Sequence, residues 1–273
     1  VAVSLGITIV AMLLPLFLYD FAGVLLAFAL LGIGNTILQV SLNPMVASVV
    51  VPGKVTSVLT LGQFLKAVSS FLGPLIAGAA ASFWGNWKWI FAVYAVTTLL
   101  SLAWLLTGVH EEKKKSAQAS TFATVCSLFK DRYIVMLFIG ILLIVGIDVG
   151  LNTTIPKLLM EKTGMSVSEA GLGSSLYFSA RTIGSFVGAF LLAKIASDRF
   201  MQYSMMLALV GFILLLLVNS LLWISVLVVI VGLACSNVFS IIFSYALQHL
   251  PERDNEISAL MIMGVSGGAL VTP

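Results

Sequence analysis

Residues 200–250 read FMQYSMMLALVGFILLLLVNSLLWISVLVVIVGLACSNVFSIIFSYALQHL. The stretch contains no Asp, Glu, Lys or Arg, and its one histidine is His249. A helix that crosses a bilayer needs about 20 consecutive, mostly apolar residues. The stretch is therefore long enough for two such helices, with a break at Asn219-Ser220. It predicts helices that span a membrane.

The composition of the whole chain agrees with this interpretation. Of its 273 residues, 60% are hydrophobic and only 9% are charged, whereas a water-soluble domain carries about 25% charged residues. The mean hydropathy is +1.13. We therefore predict an all-α, polytopic membrane protein, and we exclude cytosolic enzymes, secreted disulfide-bonded modules and nucleic-acid-binding proteins. Cys126 and Cys235 form no disulfide or metal-binding pattern, and we predict no cofactor.

Turn-forming and charged residues divide the chain into nine predicted helices. These helices cover residues 1–18, 22–51, 55–82, 88–108, 132–155, 169–193, 201–218, 222–248 and the segment from 257 onward. The longest polar connection, residues 110–131, separates four of the helices from the other five. The sequence therefore indicates two groups of helices joined by one polar segment.

The basic residues of the connections are distributed unequally between the two sides of the predicted membrane. Nine lie on the side that contains residues 110–131, namely Lys54, Lys113, Lys114, Lys115, Lys130, Arg132, Lys194, Arg199 and Arg253. Three lie on the opposite side, namely Lys88, Lys157 and Lys162. Because cytoplasmic loops carry the excess of Lys and Arg, we predict that 110–131 and 194–200 are cytoplasmic and that 156–168 is periplasmic.

The chain contains an internal repeat. Residues 52–74 (PGKVTSVLTLGQFLKAVSSFLGP) and 251–273 (PERDNEISALMIMGVSGGALVTP) both begin and end with proline and have a basic residue two positions after the first. The offset of about 200 residues equals six helices of roughly 33 residues, and such parallel repeats occur in two-bundle transporters. The first residue is not Met and the last lies in an uncharged run, so we expect a fragment that is truncated at both ends.

Several polar residues lie inside the predicted spans, where hydrocarbon offers them no hydrogen-bond partner. The candidate substrate or coupling residues are Gln39, Asn43, Gln63, Lys66, Asp148, Asn152, Arg181 and Asn237. Charged side chains at mid-membrane depth are costly and usually serve a function. Lys66, Asp148 and Arg181 are therefore the principal candidates. The sequence contains no metalloprotease or nucleophile-elbow motif.

Each candidate also has a structural interpretation. A buried Asn can hydrogen-bond a neighbouring helix, and Gly188 can serve as a position of close helix packing. We expect Asp148 and Arg181 to pair across adjacent antiparallel helices, which leaves open whether the pair is structural or functional. The helix of Lys66 contains no acid, so its charge must be compensated from elsewhere, and Gln39 is a candidate neighbour.

Four stretches carry a resemblance to a known family. They are GIGNTILQVSLNP (32–44), LGQFLKAVSSFLGP (61–74), VGIDVGLN (145–152) and SARTIGSFVGAFLLAKIASDR (179–199). Together they resemble the branch of the major facilitator superfamily that contains the fucose and glucose/galactose permeases, which are sugar–proton symporters. The resemblance covers nearly the whole chain.

The resemblance implies twelve helices in two bundles of six, with a central cavity and alternating access. Residues 1–109 then correspond to about helices 3–6 of the N-terminal bundle, and residues 132–273 to about helices 7–11 of the C-terminal bundle. Residues 110–131 form the cytoplasmic connection between them. The implied activity is the import of a monosaccharide with protons by a monomer in the bacterial inner membrane, without enzymatic chemistry.

The sequence departs from this family at two positions. The fucose permeases carry a Glu where Gln39 stands here and an Asn where Lys66 stands here. The segment GPLIAG (73–78) also partly matches a signature of drug–proton antiporters, whose upstream glycines are replaced here by Ser69 and Thr60. Drug efflux is therefore the alternative to sugar import.

Overall fold

The computed structural model describes residues 1–85, 88–108 and 121–271, and in these residues the secondary structure is helical, with no strand. The helices are α1 (Ala2–Phe17), α2 (Phe21–Val49), α3 (Val55–Trp84), α4 (Trp89–Gly108), α5 (Phe122–Ser127), α6 (Arg132–Thr163), α7 (Val167–Leu191), α8 (Ser197–Leu217), α9 (Leu221–Cys235), α10 (Val238–His249) and α11 (Asp254–Val271). The predicted all-α class is confirmed.

Five segments of the described chain are long and apolar enough to cross a bilayer. They are Phe21–Val49, Trp89–Thr107, Arg132–Thr163, Ser197–Leu217 and Leu221–His249, and the last comprises both α9 and α10. Large apolar side chains cover their outer surfaces, as at Trp104 (79% exposed) and Leu216 (75% exposed). Such surfaces suit hydrocarbon, and the helices satisfy their backbone groups internally, as a membrane requires.

The helix α6 is longer than the sequence predicted. Its end was expected at residue 155, before Pro156, but the helix continues through this proline to Thr163. Proline removes one backbone hydrogen bond from a helix, yet membrane helices tolerate it when neighbouring groups satisfy the backbone. The helix ends where Gly164 adopts φ 71°, a left-handed conformation that glycine adopts without strain. The predicted end of this helix at residue 155 is therefore wrong.

The predicted helix 222–248 is interrupted. It consists of α9 and α10, which are separated at Ser236 and Asn237. The interruption is stabilised by α7, since Asn237 Nδ2 donates to the carbonyl oxygen of Gly184 over 3.1 Å and Ser185 Oγ donates to that of Ser236 over 3.4 Å. The hydroxyl of Ser185 on α7 thus supplies a donor to the backbone carbonyl of Ser236, while the Asn237 side chain attaches the interruption to the backbone of α7.

The predicted connection 110–131 lies within the described residues only from 121 onward. This part forms α5 and a 3-10 turn at Leu128–Lys130. Arg253 Nη2 donates to the carbonyl oxygen of Thr124 over 2.7 Å and to Ser127 Oγ over 2.9 Å, and the same guanidinium pairs with Glu256. These contacts attach α5 to the beginning of α11.

Both copies of the predicted repeat begin in the same way. Pro52–Lys54 and Pro251–Arg253 each form a 3-10 turn that leads directly into a helix, α3 in the first copy and α11 in the second. Proline suits this position because its fixed φ favours a helix start and its missing N–H is not needed there. The last residues of the second copy, 272–273, lie outside the described residues.

The chain divides into two compact units, of which the first comprises Val1–Met45 and Val68–Thr121. Within it, α1 packs against α4. The helix α2 approaches α1 at Gly34, where a Cβ atom would lie 2.8 Å from Thr8 Oγ1. Close approach through a small residue is typical of membrane helix pairs.

The second unit comprises Val46–Ala67 and Phe122–Pro273. Within it, α6 packs against α7 and α11, and α9 packs against α7 and α8. Its interior contains large side chains with less than 2% exposure, among them Ile134, Phe243 and Met261. Six of the eight candidate residues belong to this unit, while Gln39 and Asn43 belong to the first.

Candidate functional site

A buried carboxylate on α6 is held by two side chains of α7. Arg181 Nη2 lies 2.7 Å from Asp148 Oδ2, and the Tyr177 hydroxyl donates to Asp148 Oδ1 over 2.6 Å. Asp148 is 6% exposed and Tyr177 is fully buried. The predicted pairing of Asp148 with Arg181 is confirmed, and each carboxylate oxygen has its own donor.

The pair forms because α6 and α7 are antiparallel neighbours joined by a tight turn. Asp148 lies about 22 Å before the end of α6, and Arg181 lies about 21 Å after the start of α7. The two residues are therefore level. An α6 that ended at residue 155 would place Asp148 only about 11 Å before its end, so the extension through Pro156 brings the two residues to the same level. A second contact between α6 and α7 fits the same alignment of the two helices, since Ser174 Oγ donates to the Asn152 carbonyl oxygen over 2.9 Å.

The turn between these helices has clear sequence signals. Gly164 ends α6, and Ser166 caps α7 in a capping box with Glu169. Such a box satisfies two backbone N–H groups at once, so it defines where a helix begins. The register that places Asp148 beside Arg181 is thus set by the chain at 164–169.

Lys66 brings a second cation to this pair. Its side chain is exposed at the surface of the described residues, and it is close enough to Arg181 to interact with it electrostatically. The helix α3 contacts α7 nearby, since the rings of Phe64 and Phe186 lie 4.8 Å apart between centroids. We call Lys66, Asp148, Tyr177 and Arg181 the charged cluster.

The other candidates have different environments. Asn152 lies on α6 one turn from Asp148 and is exposed, and Gln63 is half-buried on α3, one turn before Lys66. Gln39 and Asn43 are half-buried on α2, in the first unit. Their roles stay predictions.

Asn237 occupies the interruption between α9 and α10 and is 1% exposed. Besides its bond to Gly184, its Nδ2 donates to Ser236 Oγ over 2.6 Å. A Cβ atom at Gly188 would lie 2.2 Å from Asn237 Oδ1. The predicted close packing at Gly188 is confirmed. The contacts of Asn237 join two helices, while its predicted part in the substrate site stays a prediction.

Two polar contacts involve residues that were not among the predicted site residues. Tyr177 precedes Arg181 by one helical turn, so a shared helix face was a signal for its bond to Asp148. Thr56 Oγ1 donates to Ser244 Oγ over 2.7 Å, and Gln248 Nε2 donates to the same oxygen over 2.7 Å. Nothing local in the sequence indicates this bond between Thr56 and Ser244, because it joins positions 188 residues apart.

The chemistry available to the charged cluster is ionic and hydrogen-bonding. Arg181 and Lys66 donate hydrogen bonds, Asp148 accepts them or binds a proton, and Tyr177 can do both. Within the described residues there is no group of three or more His, Cys, Asp or Glu that could hold a metal ion. The arrangement suits reversible binding of a polar molecule and of protons.

Comparison with known proteins identifies a family. The profile of the Major Facilitator Superfamily matches residues 1–273. The chain is 27% identical over 266 residues to the fosmidomycin resistance protein of Escherichia coli (strain K12), covering 92% of this chain and 64% of that protein. It is 27% identical over 259 residues to the glucose/galactose transporter of Brucella abortus biovar 1 (strain 9-941). This match covers 90% of this chain and 62% of that protein. The chain thus spans slightly less than two thirds of these relatives.

Solved structures with the same fold cover the chain completely or almost so. The fucose:proton symporter FucP of E. coli superposes with a TM-score of 0.83 at 15% identity, covering 100% of this chain and 74% of that chain. The human organic anion transporter MFSD10 superposes with a TM-score of 0.78 at 17% identity. This match covers 99% of this chain and 69% of that chain. At these identities the likeness concerns the fold.

Proposed function

The chain belongs to the Major Facilitator Superfamily, and on this basis we propose that the full-length protein is a secondary active transporter that imports a monosaccharide together with protons. This membership confirms the predicted family and the major-facilitator-type fold. It places the chain among multi-pass membrane transporters of small molecules rather than among enzymes. The proposed location is the bacterial inner membrane, which the bacterial relatives support.

The charged cluster is the observation that carries this proposal. Lys66, Asp148 and Arg181 lie near the middle of α3, α6 and α7. A charge at the centre of a helix that crosses a bilayer costs about 2.5–3.5 kcal/mol on insertion scales. A chain with only 9% charged residues that keeps three of them at this depth is expected to use them.

We assign coupling and substrate recognition to different groups. Asp148 is the proposed proton-binding group, because it is a carboxylate that protonation would release from Arg181. Gln39, Asn43, Gln63, Asn152 and Asn237 are the proposed partners of sugar hydroxyls, since side-chain amides both donate and accept hydrogen bonds. Lys66 links the two functions through its electrostatic interaction with Arg181.

The proposed transporter works as a monomer with alternating access. Residues 1–109 and 132–273 are assigned to the N-terminal and C-terminal bundles, with 110–131 as the cytoplasmic connection. The parallel repeat of 52–74 in 251–273 supports this arrangement. A glucose/galactose transporter among the relatives and a fucose:proton symporter among the structures support sugar as the substrate.

Drug efflux is the second candidate function. The observation that favours it is the relative named as a fosmidomycin resistance protein, which is as similar in sequence as the sugar transporter. The segment GPLIAG at 73–78 points in the same direction. In this alternative the charged cluster exchanges protons for an expelled compound.

Uptake into proteoliposomes tests the proposal. The full-length protein is reconstituted, and accumulation of labelled glucose, galactose and fucose is measured with and without an inward proton gradient. We expect accumulation that depends on the gradient. Lys66→Met should insert normally and lose concentrative uptake, while Lys157→Met, which replaces an exposed lysine near the end of α6, should retain it.

Other results would contradict the proposal. If no sugar accumulates but a drug is expelled in exchange for protons, the protein is an antiporter. If uptake of sugar by Lys66→Met equals that of the unmodified protein, with the same dependence on the gradient, Lys66 is a structural charge.

A further inference from the structure

The beginning of α3 is packed into the second compact unit. Val46–Ala67 belongs to this unit, whereas the rest of α3 belongs to the first. Val55, Thr56 and Thr60 are all buried, so this part of α3 buries polar as well as apolar side chains. The two parts of one helix are thus held by different parts of the chain.

Hydrogen bonds attach the beginning of α3 to α10 and α7. Thr56 Oγ1 donates to Ser244 Oγ over 2.7 Å, and the same oxygen accepts a hydrogen bond from Gln248 Nε2 over 2.7 Å. Ser57 Oγ donates to the carbonyl oxygen of Ala189. These bonds lie in the first turn of α3 and in the last two turns of α7 and α10. This end of the helices is the one predicted to be cytoplasmic.

Two further hydroxyls are buried one turn deeper, and neither has a hydrogen-bond partner among the described residues. They are Thr60 Oγ1, whose residue is 0% exposed, and Ser240 Oγ, whose residue is 1% exposed. Thr60 follows Thr56 by four residues and Ser240 precedes Ser244 by four, so each shares a helix face with one partner of the hydrogen bond between Thr56 and Ser244. Both hydroxyls are already enclosed by the described residues, so a helix outside them would find no access to either.

The hydroxyls of the two helices have opposite effects on the contact. The hydrogen bond from Thr56 to Ser244 stabilises the packing of α3 against α10. A buried hydroxyl without a partner destabilises it, because water would hydrogen-bond that hydroxyl if the helices separated. The packing of Thr60 and Ser240 therefore limits how strongly the closed arrangement is favoured.

We propose that Thr56, Thr60, Ser240 and Ser244 form a latch on the cytoplasmic side, which the bond from Thr56 to Ser244 closes and the unpaired hydroxyls of Thr60 and Ser240 help to open. A contact with two nearly balanced arrangements suits a protein that must open and close repeatedly. The inference rests on the proposed alternating access and adds to it the residues that set the balance between the closed and the open arrangement.

The reaction rate of a buried cysteine measures how often the latch opens. The reporter is Ala189→Cys in the full-length protein with Cys126→Ser and Cys235→Ala, treated with a thiol reagent in detergent. Ala189 is buried, and it follows Phe186 by three residues on α7. The ring of Phe186 lies 4.8 Å from that of Phe64 on α3, so this face of α7 is uncovered when α3 moves away.

Substitutions at the latch should change this rate in opposite directions. Thr56→Val removes the closing bond and should raise the rate about two- to tenfold. Thr60→Val and Ser240→Ala remove hydroxyls that have no partner when the latch is closed, and each should lower the rate about fivefold. Thr97→Val on α4 is the matched control, because it removes an exposed hydroxyl that donates to the carbonyl oxygen of Tyr94 in the same helix. It should leave the rate unchanged.

A disulfide tests whether the latch must open during transport. Thr56→Cys and Ser244→Cys place thiols where the two hydroxyl oxygens are 2.7 Å apart. After oxidation, the double variant in proteoliposomes should lose counterflow of labelled glucose, galactose and fucose, and a reductant should restore it. Each single variant should exchange sugar under both conditions.

The possible failures are distinguishable. A rate that does not rise in Thr56→Val, or does not fall in Thr60→Val, overturns the latch. The same holds if Thr56→Val also exposes a second reporter, Ala208→Cys at a buried position of α8, because the whole protein has then loosened. Counterflow that persists in the oxidised double variant overturns the role of the latch in transport. If the rates change as expected but no form of the protein exchanges any sugar, the latch stands and the proposed sugar transport is wrong.

Discussion

The hydroxyl of Tyr177 and the carboxylate of Asp148 form a buried hydrogen bond of 2.6 Å between α7 and α6. The second oxygen of the same carboxylate contacts Arg181 at 2.7 Å. The two contacts come from residues one turn apart on α7. Together they give the carboxylate two hydrogen-bond donors at a depth where bulk water is scarce. They also join α6 to α7.

Removing either partner of Asp148 should destabilise the protein, and the loss of Arg181 should cost more than the loss of the Tyr177 hydroxyl. Arg181→Met leaves a buried carboxylate without its counter-ion and should cost about 3–5 kcal/mol. Tyr177→Phe removes one hydrogen bond to a charged group and should cost about 1.5–3 kcal/mol. Thermal and denaturant unfolding in detergent measures both, with Leu172→Met on the exposed face of α7 as the control. A larger loss from Tyr177→Phe than from Arg181→Met would contradict the assignment.

The contact of Gly188 with Asn237 leaves no room for a side chain. The Cβ atom of Gly188→Ala would lie 2.2 Å from Asn237 Oδ1, so we expect a loss of about 1–3 kcal/mol from overpacking. Gly171→Ala is the matched control on α7, because a Cβ there meets nothing within 4 Å. It should be neutral or stabilising, since Ala favours a helix over Gly. Equal melting temperatures for the two variants would show that α7 and the interruption are not packed as described.

Lys162 stabilises the end of α8. Its Nζ donates to the carbonyl oxygens of Leu215, Leu216 and Val218 over 3.0, 2.8 and 2.8 Å. These carbonyls lie where a helix runs out of internal donors and where a cation is favoured by the helix dipole. Lys162→Met should lower the free energy of unfolding by about 1–3 kcal/mol, while Lys157→Met should change it little. Similar effects of the two substitutions would argue against this contact in solution.

Acidification should weaken the start of α6. The hydrogen bond from His249, at 2.9 Å, is the main cause that holds the pKa of Asp131 below its usual value, and the backbone N–H groups of Ile134 and Tyr133 add to it. Because folding lowers this pKa, Asp131 contributes stability above the unfolded value of about 3.9, and the contribution is lost as the pH falls through the lower folded value.

Asp131→Asn provides the comparison, since asparagine also caps helices but does not ionise. The melting temperature of the unmodified protein should exceed that of the variant at about pH 6. The difference should shrink as the pH falls from about 5 to 3. A difference that stays constant over this interval would mean that Asp131 ionisation does not contribute to stability.

The distribution of basic residues predicts the orientation in the membrane, and this prediction can be measured. In a background of Cys126→Ser and Cys235→Ala, we expect Glu161→Cys to react with a membrane-impermeant reagent in intact cells. Lys130→Cys should react only after the membrane is permeabilised. The two sites are exposed on described residues near opposite ends of α6. The reverse labelling pattern would invert the predicted topology.

The charged cluster shows how far the sequence can define a site. Lys66, Asp148 and Arg181 were identifiable without coordinates, because the cost of placing a charge in hydrocarbon depends on the residue and its depth. The pairing of Asp148 with Arg181 was also predictable, since adjacent antiparallel helices with mid-helix charges of opposite sign can meet. Tyr177 shares a helix face with Arg181, but it was not among the predicted site residues.

Sequence alone determined the class of the protein, the position of most helices and the family. The class and the helix positions depend on local composition, since a run of apolar residues must form a helix in lipid whatever it packs against. The family resemblance rests on four short stretches of sequence. The capping signals at Gly164 and Ser166 are local in the same sense. Local signals failed at Pro156, where the helix continues, because a proline breaks a helix or is accommodated according to its neighbours.

Only the tertiary structure decided which distant residues meet. The interruption at Asn237 depends on backbone groups of α7 that are 53 residues away in sequence, and the bond between Thr56 and Ser244 spans 188. Likewise, the approach of Lys66 to Arg181 requires α3 to lie beside α7. Each of these contacts is a property of two surfaces at once. The free energy needed to bury a polar group can be estimated from a single stretch of sequence. Which residue then pairs with that group depends on how the helices pack.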